Sequence, residues 1–187
     1  MAGHEGPRNR SMTTKKTPTP ELIAVDGIDP AAILAEARMA LGHARRGGIS
    51  KWDASGVFED LAVADEKAGA PSARTLLLLY AADLAFRLRW QIRPALAEGR
   101  VVVAAPYVDT ALAFGRAAGL KPGWLENLFS FAPRPKQRRL AYARDRRLIA
   151  VTDGFVGFSC VHMTRPAGRT RRQVMEDTAK QLLRFDR

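Results

Sequence analysis

One cysteine, Cys160, stands in the whole chain, so an intramolecular disulfide is excluded. A buried, inert thiol is the expectation for it rather than a reactive one. The three histidines are scattered, with no spacing that suggests a metal site. Long apolar runs are also missing. The longest, Leu76 to Ala82, stops at Asp83 and falls far short of the ~20 residues of a membrane span. The N-terminus is charged but lacks the apolar core of a signal peptide, so a cytoplasmic location is expected. Acids are scarce relative to bases, 19 against 30, which leaves a formal charge of +11. Such a balance favours polyanionic or phosphate-bearing partners without naming one.

What is present suits one globular domain with a full core, since 47% of the 187 residues are hydrophobic. Residues 1–20 are basic and rich in Pro, Thr and Gly, and read as a disordered arm preceding a domain over 21–187. Leu22 to Val25 and Arg100 to Ala105 are continuous apolar runs typical of buried parallel strands. Pro30 opens a helix with Asp29 as its N-cap, and Ile33, Leu34, Ala37 and Leu41 keep helical spacing. Ile49 to Phe58 reads as a loop or short edge strand carrying Trp52, which is either a tucked core residue or an exposed partner contact. Further helices are predicted over 60–67, 72–98, 109–118, 122–131 and 170–185. Strand-like segments are predicted over 148–152 and 155–163, with Gly154 turning between them. Alternating strands and helices argue for an α/β fold on a parallel sheet.

The segment LIAVDGIDPAAIL, Leu22 to Leu34, has the frame of a phosphate-binding loop. Such a loop is G-x-x-x-x-G-K-S/T: glycine backbone N–H groups close on phosphates, lysine reaches the β/γ oxygens and the hydroxyl holds magnesium. Gly27 stands at the first glycine. The second glycine, the lysine and the hydroxyl positions are Ala32, Ile33 and Leu34, and Pro30 has no N–H to offer. The loop Asp26, Gly27, Asp29, Pro30, Ala32, Ile33 and Leu34 is therefore read as degenerate.

Taken together the segments resemble the thymidylate kinase family of P-loop nucleoside monophosphate kinases. The stretch LLLLYAADLAFRLRWQIRPALAEGRVVVAAPYVDTALAFGRAAGL, Leu76 to Leu120, is similar to the family's LLFAADR helix, its I-x-P-A-L-x-x-G ending and its D-R-Y-x-D-S strand and loop. DGID matches the start of its E-G-I-D-G-x-G-K-S/T loop, and Val161 to Leu183 resembles its last strand, proline turn and helix. The resemblance implies a three-layer P-loop NTPase-like fold in a single domain. It also implies where function would sit. The family's D-R pair falls on Ala105-Pro106, its acceptor-phosphate arginine on Leu84, and its aromatic-Gln pair on Phe114-Gly115. Asp26, Gly27, Asp29, Tyr80, Asp83, Tyr107, Asp109 and Thr110 survive. A nucleotide or anion pocket would comprise Tyr80, Asp83, Arg87, Tyr107, Asp109, Thr110 and Phe114. Arg87 is either a replacement for the missing arginine or part of a solvated face. The basic run Arg134, Lys136, Arg138, Arg139, Arg144, Arg146 and Arg147 occupies the place of the family's lid. An anion-binding lid, an RNA or DNA contact and a solvated or partner-binding loop all fit it.

Phosphoryl transfer rests on positioning and charge stabilisation, and removing one such group costs roughly 10²–10³ in rate. The expectation is therefore a catalytically inactive thymidylate-kinase-like protein that binds a protein partner, with or without a nucleotide or anion in a remodelled cleft. No catalytic residue, metal or cofactor is expected. ATP and magnesium enter only under the alternative, a divergent kinase acting on dTMP or a related nucleotide. A basic nucleic-acid-binding protein on the same fold is the other alternative. A homodimer is expected through helix 72–98, whose two apolar stripes are read as Leu76, Leu79, Ala82, Phe86, Trp90 and as Leu77, Leu78, Ala81, Ala85, with Arg87 and Arg89 at the rim.

Overall fold

The computed structural model describes residues 19–42, 46–142 and 150–185, and for 65–68 the backbone alone. The N-terminal arm expected over 1–20, except its last two residues, lies outside the described residues, as do Arg144, Arg146 and Arg147.

Two apolar runs found in the sequence form the centre of the sheet. β1 (Glu21–Gly27) pairs with β3 (Val101–Ala105), and the edges are β2 (Gly47–Lys51) beside β3 and β4 (Gln137–Ala141) beside β1. The order is β2-β3-β1-β4 and every pairing is parallel. Alternation along the central strands sends side chains to two cores. Leu22, Ala24, Val102 and Ala104 face the larger one, whereas Ile23, Val25, Val103 and Ala105 face the smaller. Burial on both faces explains why these strands are apolar without interruption.

Helix α1 (Pro30–Leu41) covers the smaller core through Ile33 and Ala37. It begins where the sequence says it should: the Asp29 carboxylate accepts from Ala31 N at 3.0 Å, with Pro30 in the first turn. α2 (Val57–Ala68) follows β2. The larger core is closed by α3 (Ala73–Arg87), α5 (Val108–Ala117), α6 (Pro122–Leu128), α7 (Gly154–His162) and α8 (Arg171–Phe185). The long helix expected over 72–98 is capped by Ser72, but it widens into a π-helical turn at Leu88–Ile92 before α4 (Arg93–Ala97). Pro94 gives the reason: it cannot donate to the carbonyl four residues back, and its ring crowds that carbonyl.

The segment expected as a strand over 155–163 is helical. Phe155, Val156, Gly157, Ser159 and Cys160 are its buried residues. Its run of aromatic and small residues imitates a strand, and a short apolar run cannot be told apart by periodicity alone. Val161 therefore belongs to the last turn of α7 and not to a final strand. Residues 151–152 are not strand either, while 148–149 lie outside the described residues. Among the described residues no helix is long and apolar enough to cross a membrane.

Candidate functional site

In an open parallel sheet the crevice lies beyond the carboxyl ends of the strands. Here those ends are Asp26-Gly27 of β1, Ala105 of β3 and Lys51 of β2. Asp26 is 4% exposed, and its Oδ1 accepts three hydrogen bonds: from Tyr107 N at 2.9 Å, Thr110 N at 2.9 Å and Thr110 Oγ1 at 2.7 Å. Thr110 Oγ1 in turn accepts from Gly27 N at 3.0 Å. The web ties the end of β1 to the first turn of α5, and it turns the Gly27 N–H inward. Ile33 N donates to Asp29 O at 2.9 Å, so the amides of Gly27, Ala31 and Ile33 are all engaged within the chain. Gly27 is also tightly enclosed. A Cβ there would lie 2.9 Å from Ala141 O and 3.0 Å from Ile33 Cγ1.

Asp26 and Asp109 line one small space together with Arg138. Burial, and next the Asp109 charge, push the Asp26 carboxyl up to about 6. Burial also raises Asp109, opposed by Arg138, whose Nη1 is 3.5 Å from Asp109 Oδ2. The space between Asp26, Asp109, Arg138 and Phe185 is about 20 Å³, room for about one water.

Asp83 and Arg87 are fully buried and paired, with Arg87 Nε 2.9 Å from Asp83 Oδ2. Asp83 also accepts from Ser55 N at 3.0 Å, Ser55 Oγ at 2.9 Å and Asp53 N at 3.3 Å. Arg87 Nη1 donates to Pro106 O at 3.0 Å. The expectation of a solvated or phosphate-gripping Arg87 is thus corrected: the guanidinium locks α3 to the β3–α5 connection inside the core, and it does not sit at any rim. Leu84, at the family's arginine position, is also fully buried.

The aromatic residues expected around a nucleobase pack on one another. Phe155 meets Tyr80 at a centroid distance of 4.4 Å and Phe114 at 5.2 Å. The Tyr80 hydroxyl donates to Tyr107 O, and Tyr107 Oη donates to Pro133 O at 2.7 Å. Burial pushes both phenols far above their ordinary range. Tyr80, Asp83, Arg87 and Phe114 are fully enclosed, so the seven residues expected in one open pocket are not brought together in one. Thr110 alone of them lines the cavity at the strand ends, a space of about 200 Å³. Its walls include Ile28, Ile33, Leu34, Trp52, Pro106 and Phe155, with Lys51 as the charged side chain.

Sequence reasoning missed Lys51, Phe155 and Val156 as lining residues. The signal for Phe155 was hidden by its assignment to a strand, and Lys51 sits in the ISKW segment that was read only for Trp52. Trp52 itself is half-tucked, its ring tilted against Phe58 at 4.9 Å and against Phe158 at 6.0 Å between centroids.

The basic run is β4 in part. Lys136 pairs with Glu21 at 3.6 Å, Arg138 with Asp109 at 3.5 Å and Arg139 with Glu36 at 3.1 Å, while Arg134 is exposed. The Cys160 thiol is buried and raised by that burial to about 11, against the pull of Arg171. Among the described residues no group of three or more acidic, histidine or cysteine side chains could hold a metal ion.

No protein-family model matches the chain. Over 58 residues it is 48% identical to a probable thymidylate kinase of Pyrococcus horikoshii, covering 31% of this chain and 28% of that one. It is 29% identical over 117 residues to probable thymidylate kinase 2 of Saccharolobus solfataricus, covering 61% and 55%. The chain thus spans less than a third of the first relative and about half of the second. Among solved structures it is similar to the thymidylate kinase of Ehrlichia chaffeensis, with TM-score 0.59, 13% identity and 90% of each chain covered. The thymidylate kinase of Candida albicans matches at TM-score 0.60 and 16% identity, over 89% of this chain and 78% of that one. Structural matches at such identities establish the fold, and the sequence matches are local. The chain is thus similar to thymidylate kinases in fold over most of its length and in sequence over part of it.

Proposed function

We propose that the protein is a thymidylate-kinase-like molecule that does not transfer phosphate and acts by binding a protein partner, with its cleft remodelled away from nucleotide chemistry. The observation that carries this reading is the state of the loop after β1. Its amides at Gly27, Ala31 and Ile33 are engaged within the chain. The side chains at the lysine and hydroxyl positions, Ile33 and Leu34, line an apolar cavity. These residues do not fit a magnesium-bound triphosphate, which needs a lysine, a hydroxyl ligand and free amides at that place. The enclosed Asp83–Arg87 pair supports the same reading, because Arg87 is held by Asp83 and Pro106 O and is turned away from solvent.

A divergent kinase is the competing reading, and it rests on Lys51, which lines the cavity. Nucleic-acid binding draws less support, since Lys136, Arg138 and Arg139 pair with acids of the chain itself. Titration calorimetry with magnesium-ATP and with dTMP, each to millimolar concentration, tests the proposal. No saturable heat is expected from either ligand. Saturable binding of both, weakened by Lys51→Met, would overturn the proposal in favour of the divergent kinase.

A homodimer through the long helix is proposed as well. In the structure the inward face is Leu76, Leu77, Tyr80, Ala81, Leu84, Leu88 and Ile92. The outward row is Leu78, Ala82, Phe86 and Trp90, four residues apart each time, so each expected stripe contributes to it. Leu78 is 49%, Phe86 38% and Trp90 64% exposed, an apolar ridge suited to a second copy.

A further inference from the structure

The cavity at the strand ends has features that a merely vacated phosphate site does not require. It is concave and about 200 Å³, somewhat larger than an engineered 150 Å³ apolar cavity that stays dry and binds benzene. Its walls come from six parts of the chain: the β1–α1 turn, α1, the end of β2, the β3–α5 connection, the first turn of α5 and the start of α7. Ile28, Ile33, Leu34, Pro106, Phe155 and Val156 make it apolar. No aspartate or glutamate lines it, whereas Lys51 does. Lys51 is exposed, and among the described residues its side chain has no ion pair or hydrogen bond. Trp52 lines the same space with its ring, while its indole Nε1 is buried away from solvent. Small-molecule sites are typically apolar clefts with a few polar groups.

We infer that this cavity binds a small organic monoanion, an aromatic or branched carboxylate of about ten heavy atoms. Its apolar body fills the space between Leu34, Pro106 and Phe155, and its carboxylate meets Lys51. The inference rests on the reading that the loop no longer takes phosphates, and it adds the class of ligand that replaced them. The size follows from the volume, the apolar body from the walls, and the sign of the head group from Lys51 with no acid opposite it. A nucleotide fits poorly by the same logic, because its phosphates need several donors where Lys51 stands as the cation.

The test uses the full chain and phenylacetate as the probe, with phenylacetamide as its uncharged counterpart, followed by calorimetry or by ligand-observed NMR. Phenylacetate is expected to saturate and to bind about fivefold more tightly than the amide, as one partly exposed ion pair provides. Lys51→Met should erase that preference and leave amide binding intact. Leu34→Trp, on a half-buried helix position, should fill the cavity and abolish both. Equal binding of acid and amide would overturn the assignment of an anion. Absence of binding by either probe would overturn the site, and magnesium-ATP run in parallel separates the two failures. If ATP also fails to bind, the loss of phosphate chemistry stands and only the ligand class falls. If ATP saturates, both fall.

Discussion

Replacing Asp26 by Asn should make the protein more stable at neutral pH. All three hydrogen bonds that Asp26 accepts converge on Oδ1, and the amide oxygen of Asn can accept them in the same geometry. What the change removes is a buried negative charge facing Asp109. Burial and that charge raise the carboxyl from the ordinary 3.8 to about 6. The folded chain therefore binds more protons than the unfolded chain between these values. The resulting stability is complete below 3.8 and is lost as pH rises through about 6. At 1.36 kcal/mol per pH unit the interval corresponds to about 3 kcal/mol. Wild type and Asp26→Asn should be equally stable at pH 4 within ~1 kcal/mol, and at pH 7.5 the variant should exceed wild type by about 3 kcal/mol. For a chain of this size that is roughly 6–12 °C in Tm. The assay is urea unfolding of both proteins at half-unit intervals from pH 4 to 7.5, read as the difference between them, which cancels the other titrating groups. A difference that stays flat across this window, or a variant less stable than wild type at pH 7.5, would refute the reasoning.

Other consequences are equally direct. Arg87→Met leaves the buried Asp83 carboxylate without its guanidinium and should destabilise by ~3–5 kcal/mol; adding Asp83→Asn should recover at least half of that loss in thermal unfolding. Gly154→Ala places a Cβ 2.6 Å from Pro30 Cγ at a φ of 69°, and should lower stability by ~1–3 kcal/mol in the same assay. Light scattering at micromolar concentration should give about twice the 20.5 kDa chain mass. Trp90→Glu should convert the particle to a monomer, and a wild-type monomer unaffected by that change would remove the dimer proposal.

The parts of the fold legible in the sequence are those where one local rule decides. β1 and β3 are buried on both faces, so no polar residue interrupts β1 between Glu21 and Asp26, and none interrupts β3. α1 announces itself through Asp29 and Pro30, whose cap and missing N–H act within one turn. α7 was misread because Phe155, Val156 and Phe158 satisfy a strand and a short buried helix equally well. Arg87 was misread for a different reason. Its burial depends on the Asp53–Ser55 loop folding back onto Asp83 and on Pro106 O arriving from the next strand, neither of which is near it in sequence. The same holds for the candidate site. The missing lysine and hydroxyl could be read directly as Ile33 and Leu34. The cavity that replaces the cradle could not, because Lys51, Pro106 and Phe155 are brought together only by the topology.

The claim at the centre is that the loop no longer supports phosphoryl transfer, and one measurement addresses it without intermediaries: turnover of dTMP by the full chain with magnesium-ATP, followed by coupled ADP detection. No rate above the enzyme-free background is predicted, at any pH between 6 and 9. Turnover approaching that of an ordinary monophosphate kinase, abolished by Asp29→Asn or Asp109→Asn, would contradict the account.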